Sequence, residues 1–508
     1  MSIRAVAFWL ILSPAALHAE VPLSAIDWLS DSMATPVAMP SAPDNGQDAP
    51  GARPGDVTVS GISEPSPDAI GLLPTSVTGL PRDLWGQSRS ADIAARLADD
   101  SAQLLPAMQD LLYTLLLAEL DPPADSRPDG LLFRARIDRL LALGALEQAR
   151  EMLNLSGSND AQLFRRSFDV ALLLRDEDRA CDKLRAQPAL SPTFPARIFC
   201  LARGGDWNAA ALSLEVGTAL GYLSDFEQHL LARFLDPHLS DGQAPLPPPR
   251  RMSPLTFRLM EAIGEPISTS GLPVAFSWAD LNSNTGWRAQ IEAAERLVRT
   301  GALDPNRLFG YYSERKPAAS GGVWDRVEAI QALTGALDRN DIADISAALP
   351  SAWEAMQSAE LEVPFAELFA HRLKSVPLEG TARSLVFRIG LLSPDYEVFA
   401  ADHAPLNDQE AILVAIAQGR PGPTFLADPE TAAIRDGFRA RTVPVRLQSL
   451  VESGRTGEAI LRAIALLSNG ANGDLDELTD GLAFLRAAGL EDVARRAALQ
   501  VMLLDRRG

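Results

Sequence analysis

From about residue 88 to the end of the chain, apolar residues recur at steps of three and four. The stretches "ADIAARLADD" (91–100), "MQDLLYTLLLAEL" (108–120) and "LFRARIDRLLALG" (132–144) show it clearly. That step marks one face of a helix, whereas the two-residue alternation of strands is scarce. The apolar runs are short and end at Gly, Pro or Asn-Asp breaks, so the pattern predicts an all-α fold of many short helices.

One break recurs with its neighbours. Leu140-x3-Gly144-x4-Ala149 is repeated as Leu201-x3-Gly205-x4-Ala210, Leu450-x3-Gly454-x4-Ala459 and Leu485-x3-Gly489-x4-Ala494. Leu297-x3-Gly301 is a further copy with Asn306 in the alanine position, while Arg175-x4-Ala180 and Asp338-x4-Ala343 are degenerate copies. Steps from 144 to 175, 175 to 205, 301 to 338 and 454 to 489 are 31, 30, 37 and 35 residues, the length of a helix–turn–helix repeat. The physics predicts a joint: leucine packs on the last turn of one helix, glycine takes the left-handed backbone that ends it, and alanine lets the next helix press close.

The pattern resembles the tetratricopeptide-repeat class, a resemblance covering about two-thirds of the helical body. It implies a TPR-like alpha-solenoid of irregular helical repeats whose concave side binds an extended peptide or another protein. Two longer strings, "ARIFCLARGGDWNAAALSLE" (196–215) and "QIEAAERLVRTGALDPNRLFGYYSERKPAASGGVWDRVEAIQAL" (290–333), resemble a family of exported bacterial proteins of unknown function. Some of its members carry the label antifreeze glycopeptide polyprotein. That activity is not carried over, because Ala-Ala-Thr repeats do not occur in this chain. The resemblance implies export and a helical fold, and no catalytic residues.

The N-terminal region breaks the helical pattern. Residues 1–19 place Arg4 before an apolar run and small residues, the layout of a secretory signal cleaved near Ala19. The apolar run is about a dozen residues, too short to cross a bilayer, which takes roughly 20. Residues 20–85 are rich in Pro, Ser, Gly and Asp and predict a disordered arm. Two apolar islands interrupt it: Ile26, Trp28 and Leu29, expected to dock a partner or fold back on the body, and Leu72 to Trp85, expected to lead into the first helix. A proline-dense stretch at 238–254 then divides the body into a helical half at 86–237 and another at 255–508.

A net charge of −20 argues against nucleic acid and anionic membrane surfaces as partners. Cys181 and Cys200 are too few for a disulfide scaffold or a structural zinc site. In an oxidising compartment such as the periplasm, they form one staple across a helical hairpin or stay as two buried thiols.

Chemistry-bearing motifs are absent from the sequence. No phosphate-binding loop, dinucleotide fingerprint or HExxH spacing occurs, so no cofactor, nucleotide or metal is expected. Glu360, Glu362, Glu367 and His371 could in principle form an acid/base set, but acid pairs recur throughout so acidic a chain and a solvated helix face is the reading the pattern favours. The densest unusual segment joins Tyr311, Tyr312, Arg315, Lys316, Trp324 and Arg326. It suits gripping an acidic or extended peptide, or else caps a groove between repeats. The sequence as a whole predicts a non-enzymatic periplasmic interaction scaffold or adaptor with a protein or peptide partner in the cell envelope. A peptidoglycan-related hydrolase with an unrecognised acid site and a structural spacer are the alternatives.

Overall fold

The computed structural model describes residues 66–99, 104–157, 160–420, 422 and 428–504. The expected signal at 1–19, and Ile26, Trp28 and Leu29 of the arm, lie outside the described residues. Among those described, all regular structure is helical, with one isolated parallel bridge between Leu73 and Ala118.

A 3-10 turn (Pro67–Ala69) leads into α1 (Thr75–Thr78), α2 (Ser90–Ala98) and α3 (Pro106–Leu117). Three hairpins follow: α4 (Leu131–Ala142) with α5 (Leu146–Ser156), α6 (Ala161–Leu174) with α7 (Glu177–Ala186), and α8 (Phe194–Arg203) with α9 (Trp207–Ala219). Next come α10 (Asp225–Leu235), α11 (Pro254–Ala262), α12 (Trp287–Arg299) with α13 (Pro305–Glu314), and α14 (Val323–Arg339) with α15 (Ile342–Ser358). The path continues through α16 (Glu362–Lys374), α17 (Gly380–Leu391), α18 (Tyr396–Asp402), α19 (Asp408–Ala417) and α20 (Pro429–Arg439). It ends with α21 (Val445–Glu452), α22 (Thr456–Ala471), α23 (Leu475–Ala487) and α24 (Glu491–Leu503).

The glycine joints have the backbone their chemistry requires. Gly144, Gly205, Gly301, Gly454 and Gly489 have φ of 79°, 83°, 68°, 68° and 81°, a region that costs a residue with a Cβ about 1–2 kcal/mol. The residue after each glycine donates its N–H back to the motif leucine: Ala145 to Leu140 O, Asp206 to Leu201 O, Ala302 to Leu297 O, Arg455 to Leu450 O and Leu490 to Leu485 O. The leucine therefore supplies the accepting carbonyl of a Schellman cap. Ala149, Ala210, Ala459 and Ala494 are fully buried where paired helices meet.

Arg175 takes the left-handed conformation itself, at φ 60°. The copy placed at Asp338 is out of register, because the joint is Asn340 (φ 52°), whose neighbour Asp341 donates to Ala336 O. Five residues beyond Asn340 the buried position is Ile345, while Ala343 is exposed.

Two features of the sequence reading are corrected by the packing. The first concerns residues 66–85, assigned to the arm by composition but folded against the body. Asp68 is buried, accepting the Phe133 N–H at 2.7 Å and the Ser126 hydroxyl at 2.5 Å. Arg136, fully buried, donates to the carbonyls of Leu116, Asp68, Ile70 and Ala118 and so ties the first described residues to α3 and α4. Trp85 is buried against Gly457 of α22.

The second concerns the proline-dense stretch, which does not separate two halves. A single apolar core runs from Leu80 to Leu504, joining the N-terminal helices to the C-terminal ones. Across that seam Gly457 N–H donates to Leu84 O, Ala107 N–H to Gln500 Oε1, Arg96 pairs with Glu458, and Arg496 with Asp110. A smaller core, from Phe164 to Met260, is built by α6 to α11 and includes both sides of the proline stretch. Leu246 of that stretch packs on the smaller core, and its N–H donates to Glu265, which pairs with Arg233.

Candidate functional site

The aromatic–cationic segment becomes an internal brace. Tyr312 is fully buried and its hydroxyl donates to Glu295 Oε1 at 2.8 Å. Arg326 grips the same carboxylate through both oxygens, at 2.9 and 2.6 Å. Burial and the adjacent Glu295 charge push the Tyr312 hydroxyl well above its ordinary range. Trp287 donates to Tyr311 O and packs on Trp324 with ring centres 5.0 Å apart, while the Tyr311 hydroxyl donates to Leu281 O. Arg315 and Lys316 face solvent, Arg315 paired with its neighbour Glu314. The expected partner surface is thus corrected: Tyr312 and Arg326 are spent on the buried Glu295 carboxylate, while Tyr311 and Trp324 are partly buried against the core.

The acid set also rearranges. Glu360 sits in the left-handed turn before α16 and Glu362 is buried at its start. Glu367 and His371 both lie on α16, and no hydrogen bond joins them among the described residues. Glu367 instead faces Asp110 of α3, Asp304 before α13 and Arg496 of α24. Burial first, then the two aspartates, raise its carboxyl above the ordinary range, with Arg496 opposing. Among the described residues no group of three or more His, Cys, Asp or Glu is arranged to hold a metal ion.

The surface that does stand out is α9. Its sequence, "WNAAALSLEVGTA", carries one charge, Glu215. Asp206 caps it by accepting the Ala209 N–H at 3.1 Å. The inner side is made of small residues: Ala210 and Gly217 are its only buried positions. A Cβ on Gly217 would stand 2.4 Å from the Phe194 ring, so α8 seats flush against α9 there.

The outer side keeps Leu212, Val216 and Leu220, an i, i+4, i+8 ridge, with Leu212 62 % and Leu220 59 % exposed. Trp207, 52 % exposed, starts α9 on a different side from the ridge and leans on Phe234 of α10 at 6.4 Å. Twelve large apolar residues are left exposed among those described, and Trp207, Leu212, Val216, Leu220 and Leu239 concentrate five of them within residues 207–239. Scattered exposed leucines need no explanation, but a contiguous set does.

The platform beneath is fastened. Cys181 and Cys200 are joined in a disulfide between α7 and α8, with Cα atoms 4.9 Å apart. Phe199 stacks on Phe234 at 5.7 Å and links α8 to α10. Sequence reasoning passes over α9 because a helix apolar on nearly every side reads as a buried one. The signal that marks it is the pairing of a near-chargeless helix with inward small residues, which leaves its large residues facing out.

The chain matches no protein-family model, no curated protein and no solved structure. Among the described residues, no helix is long and apolar enough to cross a membrane.

Proposed function

We propose that this chain is an exported interaction scaffold of the bacterial cell envelope, a TPR-like alpha-solenoid that holds a protein or peptide partner on the outer side of α9. One observation carries the reading: the exposed Leu212–Val216–Leu220 ridge, on a platform fixed by a disulfide. In a solenoid the outer face of such a helix is covered by the next repeat, and an end repeat normally presents a polar face instead. An apolar ridge at that position suits a partner's helix laid into it, as in helix-in-groove recognition.

The test is affinity capture from an envelope extract with the wild-type chain beside a Leu212→Glu/Leu220→Glu variant. Partners enriched by the wild type and reduced at least tenfold by the variant support the reading. Partners retained equally by both overturn it.

A hydrolase is favoured by a separate observation, the raised carboxyl of Glu367 facing Asp110 and Asp304. Release of soluble fragments from purified peptidoglycan by the wild type, abolished in Glu367→Gln, would establish that reading. Equal or absent release in both chains eliminates it.

A further inference from the structure

The α9 ridge, from Leu212 to Leu220, is a solvent-facing apolar surface about 12 Å long, from eight steps of 1.5 Å. One helix face of that length and about 10 Å width offers roughly 120 Å², well short of the ~800 Å² per partner that a stable dimer buries. A second copy of this chain therefore lacks the area to occupy it alone. A tethered segment does not need that area, because a short linker supplies an effective concentration in the millimolar range and a contact with a Kd of about 1 mM is then half occupied.

The chain carries one segment suited to the task. Of residues 20–65, the stretch Leu23, Ile26, Trp28 and Leu29 places four large apolar residues within seven positions. The same region holds seven acidic residues against one Arg, Arg53, so its remaining surface shares the acidic character of the body and has no reason to adhere elsewhere.

Geometry permits the reach. The first described residues are held on α4 by Asp68 and Arg136. From α4 the chain passes to α9 through consecutively packed helices, and with neighbouring axes 8–10 Å apart the separation is at most about 50 Å. Residues 30–65 provide 36 linking positions rich in Pro, Gly and Ser. Such a linker has a root-mean-square span of about 30–36 Å and an extended limit near ~120 Å.

We propose that the outer face of α9 is the resting seat of this chain's own Leu23–Leu29 segment, with Trp28 and Leu29 packed on Leu212, Val216 and Leu220. The segment regulates the same surface that the proposed function gives to a partner, and the inference rests on that reading. An incoming partner displaces it, and deletion of residues 20–33 raises the affinity of any α9-dependent partner.

The test uses the chain from residue 20 onward with one introduced cysteine pair, Leu29→Cys with Val216→Cys. The two native cysteines are already joined, so the new thiols are the only free ones. A control pair, Leu29→Cys with Val445→Cys, places the second thiol on an exposed valine of α21. The readout is the rate of intramolecular disulfide formation, followed by gel mobility and peptide mass spectrometry. At least tenfold faster closure of the 29–216 pair than of the control is the expected result. Equal rates overturn the proposal, as does a predominance of intermolecular dimers, which would make a second copy the occupant. Failure here with retained α9-dependent capture leaves the scaffold standing and removes only the self-docking. Loss of α9-dependent capture with fast 29–216 closure does the reverse.

Discussion

The seam between Trp85 and α22 gives a double-mutant cycle whose sign is fixed by geometry. Trp85 is 1 % exposed, and Gly457 lies under its ring: a Cβ there would sit 2.5 Å from Cε3 and 2.8 Å from Cζ3. Trp85→Ala removes the ring and leaves a cavity, a loss of about 3–5 kcal/mol. Gly457→Ala drives a methyl into the ring, and overpacking of this kind costs about 1–3 kcal/mol, offset in part by about 0.5–1 kcal/mol of helix preference. In the double variant the methyl enters space the ring has vacated, so the combined loss falls short of the sum by about 1–3 kcal/mol.

Hydrogen exchange across the seam is the appropriate assay, because a chain of this size is not expected to unfold in one step. Gly457 N–H donates to Leu84 O and Gln87 N–H to Gly454 O, so peptides covering these amides report the opening. Trp85→Ala should accelerate their exchange roughly 10²- to 10³-fold, since each 1.4 kcal/mol is a factor of ten. If the double variant exchanges at the product of the two single effects, within about twofold, the ring and α22 do not share this seam.

Three further outcomes follow from individual groups. Arg136→Met should free residues 66–73 from α3 and α4, because the carbonyls of Leu116, Ile70 and Ala118 lose their donor and a dry unpaired carbonyl costs about 1–3 kcal/mol. Protease cleavage between residues 66 and 79 that appears in the variant alone is the expected result, and an unchanged digest refutes it. Breaking the Cys181–Cys200 bond, which closes a separation of 19 residues, should weaken the smaller core by about 3 kcal/mol in the loop-entropy treatment. Faster exchange confined to α7–α9 in Cys181→Ala/Cys200→Ala supports this, whereas unaltered exchange does not. The Glu367 carboxyl is raised, so the folded state resists its ionisation. That handicap is absent below the ordinary carboxyl range near ~4.3 and develops as pH rises through the raised value. Glu367→Gln should therefore raise the thermal midpoint at pH 7 and leave it unchanged near pH 4; a lowered midpoint at pH 7 contradicts the assignment.

How much of this was legible in the sequence follows from the range of each interaction. The glycine joints are local: the leucine, the glycine and the donor after it lie within six residues, and the left-handed backbone selects the residue type. Asn340 escapes notice because a side chain occupies the joint, and Glu360 (φ 55°) for the same reason. The Tyr–Trp–Arg cluster misleads because its composition is the same whether it meets a peptide or a buried glutamate, and Glu295 lies 31 residues from Arg326. The seam is the least legible, since Arg96 meets Glu458 across 362 positions and Ala107 meets Gln500 across 393. Residues 66–85 read as arm by composition because the partners that order them, Arg136 and Gly457, belong to other parts of the chain.

The α9 face raises the opposite question, how so apolar a surface remains solvent-facing on one chain among many. Net charge supplies part of the answer. At −20, two copies repel before their ridges meet, since charges act over about 8 Å at physiological ionic strength. The face itself carries one charge, so repulsion comes from the body and not from the ridge. On the proposed scaffold reading, a partner would bring an apolar helix face together with a body that is neutral or basic. Rigidity supplies the rest. The disulfide and the Phe199–Phe234 stack hold α8 under α9, so the ridge cannot relieve its exposure by collapsing onto the smaller core. On that reading the brace from below and the charge of the body would act together as selectivity, disfavouring the chain's own copies while leaving the ridge open to a helix of matching shape.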